Sequence, residues 1–260
     1  MVTRADFRLD SVGIPLAASL FTPAEEGPHP ALVICHGMPS GPRPEAGVSQ
    51  SSTGGELDYP ALAEWCALEG FATLIFNFRG TGKSGGNFHP LGWAQDLESV
   101  LTWIMDRPEV DPGRIALLGS SLGATVAIYV AARRPEGAGV VSFASPAIMG
   151  PRQEPALAVE RLREMGLIRD PDFPPSLEEW AMESQVLSPV QWVGRIAPRP
   201  LLLLHGDADD VVPTESVYTL FEHANEPKEM RVLPGVGHRF RSEPEAVRVA
   251  LDWLKERFVA

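Results

Sequence analysis

The chain has 260 residues, 44% hydrophobic and 22% charged, an ordinary globular composition long enough to bury a core without disulfide or metal staples. A formal net charge of -12 argues against nucleic acid and anionic membrane surfaces as general partners. Cys35 and Cys66 lie in apolar runs and form no C-x-x-C pair, and the start MVTRADFRLD is too polar for a signal peptide, so the expected location is the cytoplasm.

In chain order, DFRLD and PLAASLFTP predict a hairpin or meander around SVGI. Short apolar runs then alternate with helical patterns, which signals a mainly parallel sheet with helices on both faces. ALVIC (31–35), FATLIFNF (71–78), RIALLG (114–119), GVVSFA (139–144), PLLLLHG (200–206) and EMRVLP (229–234) are its strands, mostly continuous apolar runs as buried parallel strands are. Between them Trp93, Leu97, Val100, Leu101 and Ile104 recur at helical spacing, as do Val247, Ala250, Leu251, Leu254 and Phe258. LGATVAIYVAARR, just after Ser121, is apolar nearly all round and ends in cations, the pattern of a helix sandwiched in the core. Residues 38–56 are rich in Pro, Gly and Ser and predict a long loop. Residues 146–198 show no sheet strand. Helical patterns near Leu157–Met165 and Leu177–Leu187 flank the break RDPDFPPS, which predicts a lid inserted into a core made of 1–145 and 199–260.

The stretch RGTGKSGGNF carries two chemistries at once, the end of a phosphate-binding loop and a G-x-S-x-G serine motif around Ser84. The phosphate loop fails on its first glycine, since that position is Asn77, and on the helix breakers Gly85, Gly86 and Pro90 that follow. A second G-x-S-x-G, GSSLG around Ser121, has the strand before it and the helix after it that a nucleophile elbow requires. Ser121 is therefore the candidate nucleophile and Ser84 is not. A serine needs a base and the base an orienting acid. His238, in a glycine-rich loop beyond the last strand, is the best placed of six histidines. Asp207, Asp209 and Asp210 all follow the strand PLLLL and leave the acid open at this point.

These segments together resemble the α/β-hydrolase superfamily over nearly the whole chain, in the serine carboxylesterase and feruloyl-esterase-like group with a small lid. HGDADDVVP resembles the family's H-G-x-x-D-x-x-V-P segment, which implies Asp209 as the acid, and GVGH resembles the segment that carries the catalytic histidine, His238. CHGM resembles the turn after the third strand, which implies an oxyanion hole from the backbone N–H groups of Met38 and Leu122. NFRGTGKSGG resembles a structural loop near the site. The resemblance implies a mostly parallel sheet of about eight strands, no metal or organic cofactor, and a small-molecule ester as substrate. Thioesterase, acyltransferase and peptidase activity with the same triad, and a non-catalytic binding role, remain alternatives, and a homodimer stays open. Apolar lid residues are candidates for the substrate pocket: Met149, Trp180 and Trp192, with Phe173 and Met182.

Overall fold

The apolar runs become strands of one eight-stranded sheet. The structure, a computed structural model of the chain, describes residues 1–39, 57–150 and 154–259. β1 (Thr3–Ser11) and β2 (Ile14–Thr22) form the expected hairpin, in register from Thr3 opposite Thr22 to Ser11 opposite Ile14. Val12 and Gly13 turn it with positive φ at both positions, which matches the right-handed twist of the paired strands. β3 (His29–Cys35), β4 (Ala72–Phe76), β5 (Val110–Ser120), β6 (Gly139–Phe143), β7 (Leu201–Gly206) and β8 (Lys228–Leu233) complete the sheet in the order β1-β2-β4-β3-β5-β6-β7-β8. β2 runs antiparallel to β4, and every pairing from β4 to β8 is parallel. β4 is shorter than FATLIFNF suggests because Phe78 leaves the ladder: its N–H donates to His36 Nε2, 3.3 Å away, instead of to a neighbouring strand.

The inner strands β3, β6 and β7 are buried at every position. Successive side chains point to opposite faces, so each strand feeds two cores. In β3, Ala31, Val33 and Cys35 join the core that also holds residues of α2 (Pro90–Met105), α3 (Leu122–Arg133) and α6 (Glu215–His223). Leu32 and Ile34 join the one that holds residues of α1 (Tyr59–Leu68) and α7 (Pro244–Phe258). Each fully buried aliphatic or aromatic side chain contributes about 1.5–3 kcal/mol relative to exposure.

Between β6 and β7 lie α4 (Pro155–Glu164), α5 (Leu177–Val186) and two short 3-10 turns (Pro189–Gln191 and Val193–Arg195). Val159, Leu162, Trp180 and Leu187 of this segment are buried in the same core as α2 and α3. The loop expected over 38–56 lies, from residue 40 onward, outside the described residues. Among the described residues, no helix is long and apolar enough to cross a membrane.

Candidate active site

Parallel strands deliver their carboxyl ends to one edge of the sheet, and the loops that follow them gather there. β5 ends at Ser120, and Ser121 turns the chain into α3 with φ 55° and ψ −123°. A non-glycine residue held in such a region costs on the order of 1–3 kcal/mol. The Ser121 N–H donates to Phe143 O (2.9 Å), while its carbonyl accepts the N–H groups of Ala124 (3.0 Å) and Thr125 (3.1 Å). Both glycines of GSSLG are required by close approach. A Cβ on Gly119 would lie 2.4 Å from Ala124 Cα, and one on Gly123 would lie 2.2 Å from the Cys35 carbonyl oxygen.

Ser84 differs in every respect. Its residue is 1% exposed, its hydroxyl donates to Asn77 O (2.5 Å), and its Oγ accepts the Ala17 N–H (2.9 Å). It staples β2 to the turn after β4. Ser121 Oγ, in contrast, has no hydrogen-bond partner among the described residues.

Asp209 follows β7 with a side chain that is fully buried. Burial of a carboxylate demands that its lone pairs be met. Oδ1 accepts the N–H groups of Val211 and Val212, both at 2.9 Å, and Oδ2 accepts His238 Nδ1–H at 2.8 Å. A proton on Nδ1 leaves His238 Nε2 as the free lone pair. Asp207 points elsewhere and accepts the Gly235 N–H (2.6 Å), which ties the end of β7 to the loop bearing His238; Asp210 is exposed. Of the other histidines, His89 uses both ring nitrogens, towards Arg79 and Glu183, and His29 and His223 bond backbone carbonyls. No hydrogen bond joins Ser121 Oγ to His238 here, and His238 is not part of the cavity wall described below. In enzymes without bound substrate, catalytic hydrogen bonds are often long or poorly aligned.

His36 organises the turn that carries Met38. Its Nδ1–H donates to Gly37 O (2.8 Å) and its Nε2 accepts the Phe78 N–H, so the ring is neutral and joins the ends of β3 and β4. Burial lowers its pKa from 6.5 to about 4, with Arg241 adding to the shift and the Gly37 bond opposing it. The unfolded chain therefore takes up a proton between pH 6.5 and 4 that the folded chain refuses. Stability from this group is full above pH 6.5 and is lost as pH falls to 4, by roughly 3 kcal/mol in all. Urea unfolding at pH 7, 5.5 and 4.5 is expected to show a steeper fall in wild type than in His36→Gln and His36→Asn. Equal pH slopes in all three would assign the acid sensitivity to other groups.

A cavity of about 350 Å³ opens over Ser121. Met38, Leu122, Met149 and Trp180 all line it. Leu122 is the first residue of α3, where an N–H has no intrahelical partner, and neither its N–H nor that of Met38 is bonded among the described residues. Trp192 sits outside this wall. Its ring packs edge-on against Tyr129 of α3 with centroids 4.8 Å apart, and its Nε1–H donates to Val186 O (2.7 Å). Met182 is exposed, and Phe173 packs beside the His89 ring.

Three features of the site carry partners or roles that the sequence motifs did not reveal. His205 is fully buried, with Nε2–H donating to Val212 O (2.9 Å) and lying 3.4 Å from Asp209 Oδ2. It braces the loop that presents Asp209, while its Nδ1 has no partner among the described residues. Arg79 forms a buried ion pair with Asp96 of α2 (2.8 Å). A guanidinium can only donate, so the Arg79 Nη1–H is received by His89 Nε2 (3.1 Å), and His89 Nδ1–H then donates to Glu183 of α5 (2.9 Å). The third is Arg161 in the cavity wall. The glycines around Arg79 announced a tight turn, but charge partners 17 and 94 residues apart, Arg79–Asp96 and His89–Glu183, leave no local pattern.

Residues 12–191 match the family model described as X-Pro dipeptidyl-peptidase (S15 family). An uncharacterised protein of Mycobacterium tuberculosis is 32% identical over 247 residues, covering 94% of this chain and 74% of its own length. The polyketide transferase GrgF of a Penicillium species is 26% identical over 290 residues, 94% of this chain and 92% of its own. The GrgF crystal structure superposes with a TM-score of 0.76 over 99% of this chain and 100% of its own, at 23% identity. Est1E of Butyrivibrio proteoclasticus, solved with ferulic acid bound, superposes with a TM-score of 0.68 over 96% of each chain, at 21% identity.

Proposed function

The chain belongs to the X-Pro dipeptidyl-peptidase (S15) family and has the α/β-hydrolase fold, and from that premise we propose that it is a serine hydrolase cleaving carboxylic esters of small to medium acyl or aryl acids. The observation that carries this reading is the 2.8 Å bond from His238 Nδ1 to a fully buried Asp209. It leaves a basic nitrogen for a serine held on a strained turn.

In this reading His238 Nε2 takes the Ser121 proton as Oγ attacks the acyl carbonyl. Asp209 keeps the imidazole in the Nδ1–H tautomer and stabilises the imidazolium. The N–H groups of Met38 and Leu122 receive the oxyanion, and one such donor contributes about 3–4 kcal/mol to the transition state in comparable sites. The imidazolium then protonates the leaving alkoxide. Water, deprotonated by the same nitrogen, attacks the acyl-enzyme, releases the acid and restores Ser121. These steps call for no metal or organic cofactor. Residues 146–198 act as the lid that reads the acyl group, with Met149 and Trp180 in contact with it.

A second reading, acyl transfer to an acceptor other than water, is favoured by the 26% identity to a polyketide transferase over nearly full length. The family description brings X-Pro peptides into the test, and the ferulic acid bound by Est1E brings hydroxycinnamoyl esters. A panel of p-nitrophenyl esters, hydroxycinnamoyl esters, acyl-CoA thioesters and X-Pro peptides is expected to give its highest kcat/KM with an ester. Trp180→Ala should shift the preference between short and bulky esters by roughly 1–3 kcal/mol, the scale of one apolar pocket contact. Trp192→Ala, which removes packing on α3, should leave the ranking of esters closer to that of wild type. A tenfold or larger preference for peptide or thioester would replace the ester reading, and an unchanged ranking in Trp180→Ala would move selectivity to other residues.

A further inference from the structure

The cavity over Ser121 is lined mainly by apolar side chains, and among its described lining residues one is charged, Arg161. Pro155, Ala158 and Arg161 recur every third residue of α4 and so share one face of that helix, and all three line the cavity. Ser121 and Ser184 supply the only other polar side chains of the described wall.

The guanidinium of Arg161 has no hydrogen bond or ion pair with any described residue. Its neighbours on the helix are arranged differently. Arg163 pairs with Glu160 (3.5 Å) and donates to Pro171 O (2.8 Å) and Phe173 O (3.0 Å), so the nearest carboxylate before it in sequence is already engaged. A cation in the last turn of a helix suits the helix dipole, but that role is satisfied by Arg163 as well. In a chain of net charge -12, a free cation on an otherwise apolar, ligand-sized wall is a local attractor for an anion. The planar fork of N–H donors matches a carboxylate in two parallel bonds.

We infer that Arg161 is a specificity-determining residue, and that the substrate portion filling this cavity ends in a carboxylate, as in the monoester of a dicarboxylic acid. The inference rests on the proposed reading of Ser121 as nucleophile. The apolar wall takes the carbon chain, the ester carbonyl reaches Ser121, and the far carboxylate reaches Arg161.

The experiment compares kcat/KM for monomethyl esters of C5 to C8 dicarboxylic acids with those for methyl esters of monocarboxylic acids of the same length. Arg161 is exposed at the rim of the wall, so wild type is expected to prefer the carboxylate-bearing ester at one chain length by roughly two- to fivefold, the scale of an exposed ion pair. Arg161→Gln should bring that ratio to about one, and Arg161→Glu should invert it. Raising the salt concentration should erode the wild-type ratio, since an exposed ion pair is screened. A wild-type ratio at or below one at every length, with the neutral esters turned over, would overturn this inference alone, as would a preference that survives in Arg161→Gln. No turnover of either series, together with no labelling by a fluorophosphonate, would overturn the reading of Ser121 and this inference with it.

Discussion

Ser121→Ala is expected to lower ester kcat by about 10³-fold or more and to abolish covalent labelling by a fluorophosphonate. Some activity should remain, because oxyanion donors and binding act without the nucleophile. The reasons are local. Ser121 sits at φ 55° between β5 and α3, its Oγ is unbonded among the described residues, and it borders the cavity. Ser84→Ala should keep the label, since that hydroxyl is committed to Asn77 and Ala17. Its cost should appear in stability, at roughly 1–3 kcal/mol for the buried groups left unpaired. Peptide mapping of the labelled protein decides between the two serines. Label retained by Ser121→Ala and lost from Ser84→Ala would reverse the assignment.

Asp209→Asn should cost about as much, on the order of 10⁴-fold in kcat for comparable triads, with little loss of fold. An amide at that position can place an N–H against His238 Nδ1, which favours the tautomer with its proton on Nε2 and removes the base. The Val211 and Val212 N–H groups can still bond the amide oxygen, so the loop should hold its shape. Asp210→Asn, at an exposed position, should be nearly silent, and Asp207→Asn should loosen the bond to Gly235 without changing the base. Steady-state kinetics with circular dichroism on the three variants checks this. A mild Asp209→Asn beside a severe Asp207→Asn would place the acid two residues earlier.

The sheet was legible because parallel strands buried on both faces leave continuous apolar runs, as LLLL in β7 does. The helices α2 and α7 were legible from their spacing, and α3 from an apolar run after Ser121 that ends in cations. α1 was missed although it carries ordinary punctuation: Asp58 caps it by accepting the Ala61 N–H (2.7 Å), Pro60 opens it and Gly70 follows its end at φ 99°. Its apolar residues spread around the helix, which hides the periodicity. At the candidate site, position after a strand end marked Ser121 and His238 but left Asp207, Asp209 and Asp210 open, and only the resemblance of HGDADDVVP singled out Asp209. The bond between His238 and Asp209 spans 29 residues, and only folding brings it about. Trp192 shows the limit of reading pockets from composition. An aromatic in an insertion can face its own scaffold, as this one faces Tyr129.

The Asp96–Arg79–His89–Glu183 chain sets a limit on modularity. In α/β folds the segment between two strands looks like an exchangeable part, ready to be swapped for another selectivity. Here α5 carries both Trp180 of the cavity wall and, one turn on, the Glu183 that receives His89 Nδ1–H and the Leu91 N–H. A grafted segment without an acceptor at that place would orphan two donors at the core surface and weaken the hold on Arg79. Exchange of the whole 146–198 segment must therefore bring its own carboxylate, or be matched by changes at His89 and Arg79. The selectivity proposed for this cavity is thus easier to redesign residue by residue along its wall than by transplantation.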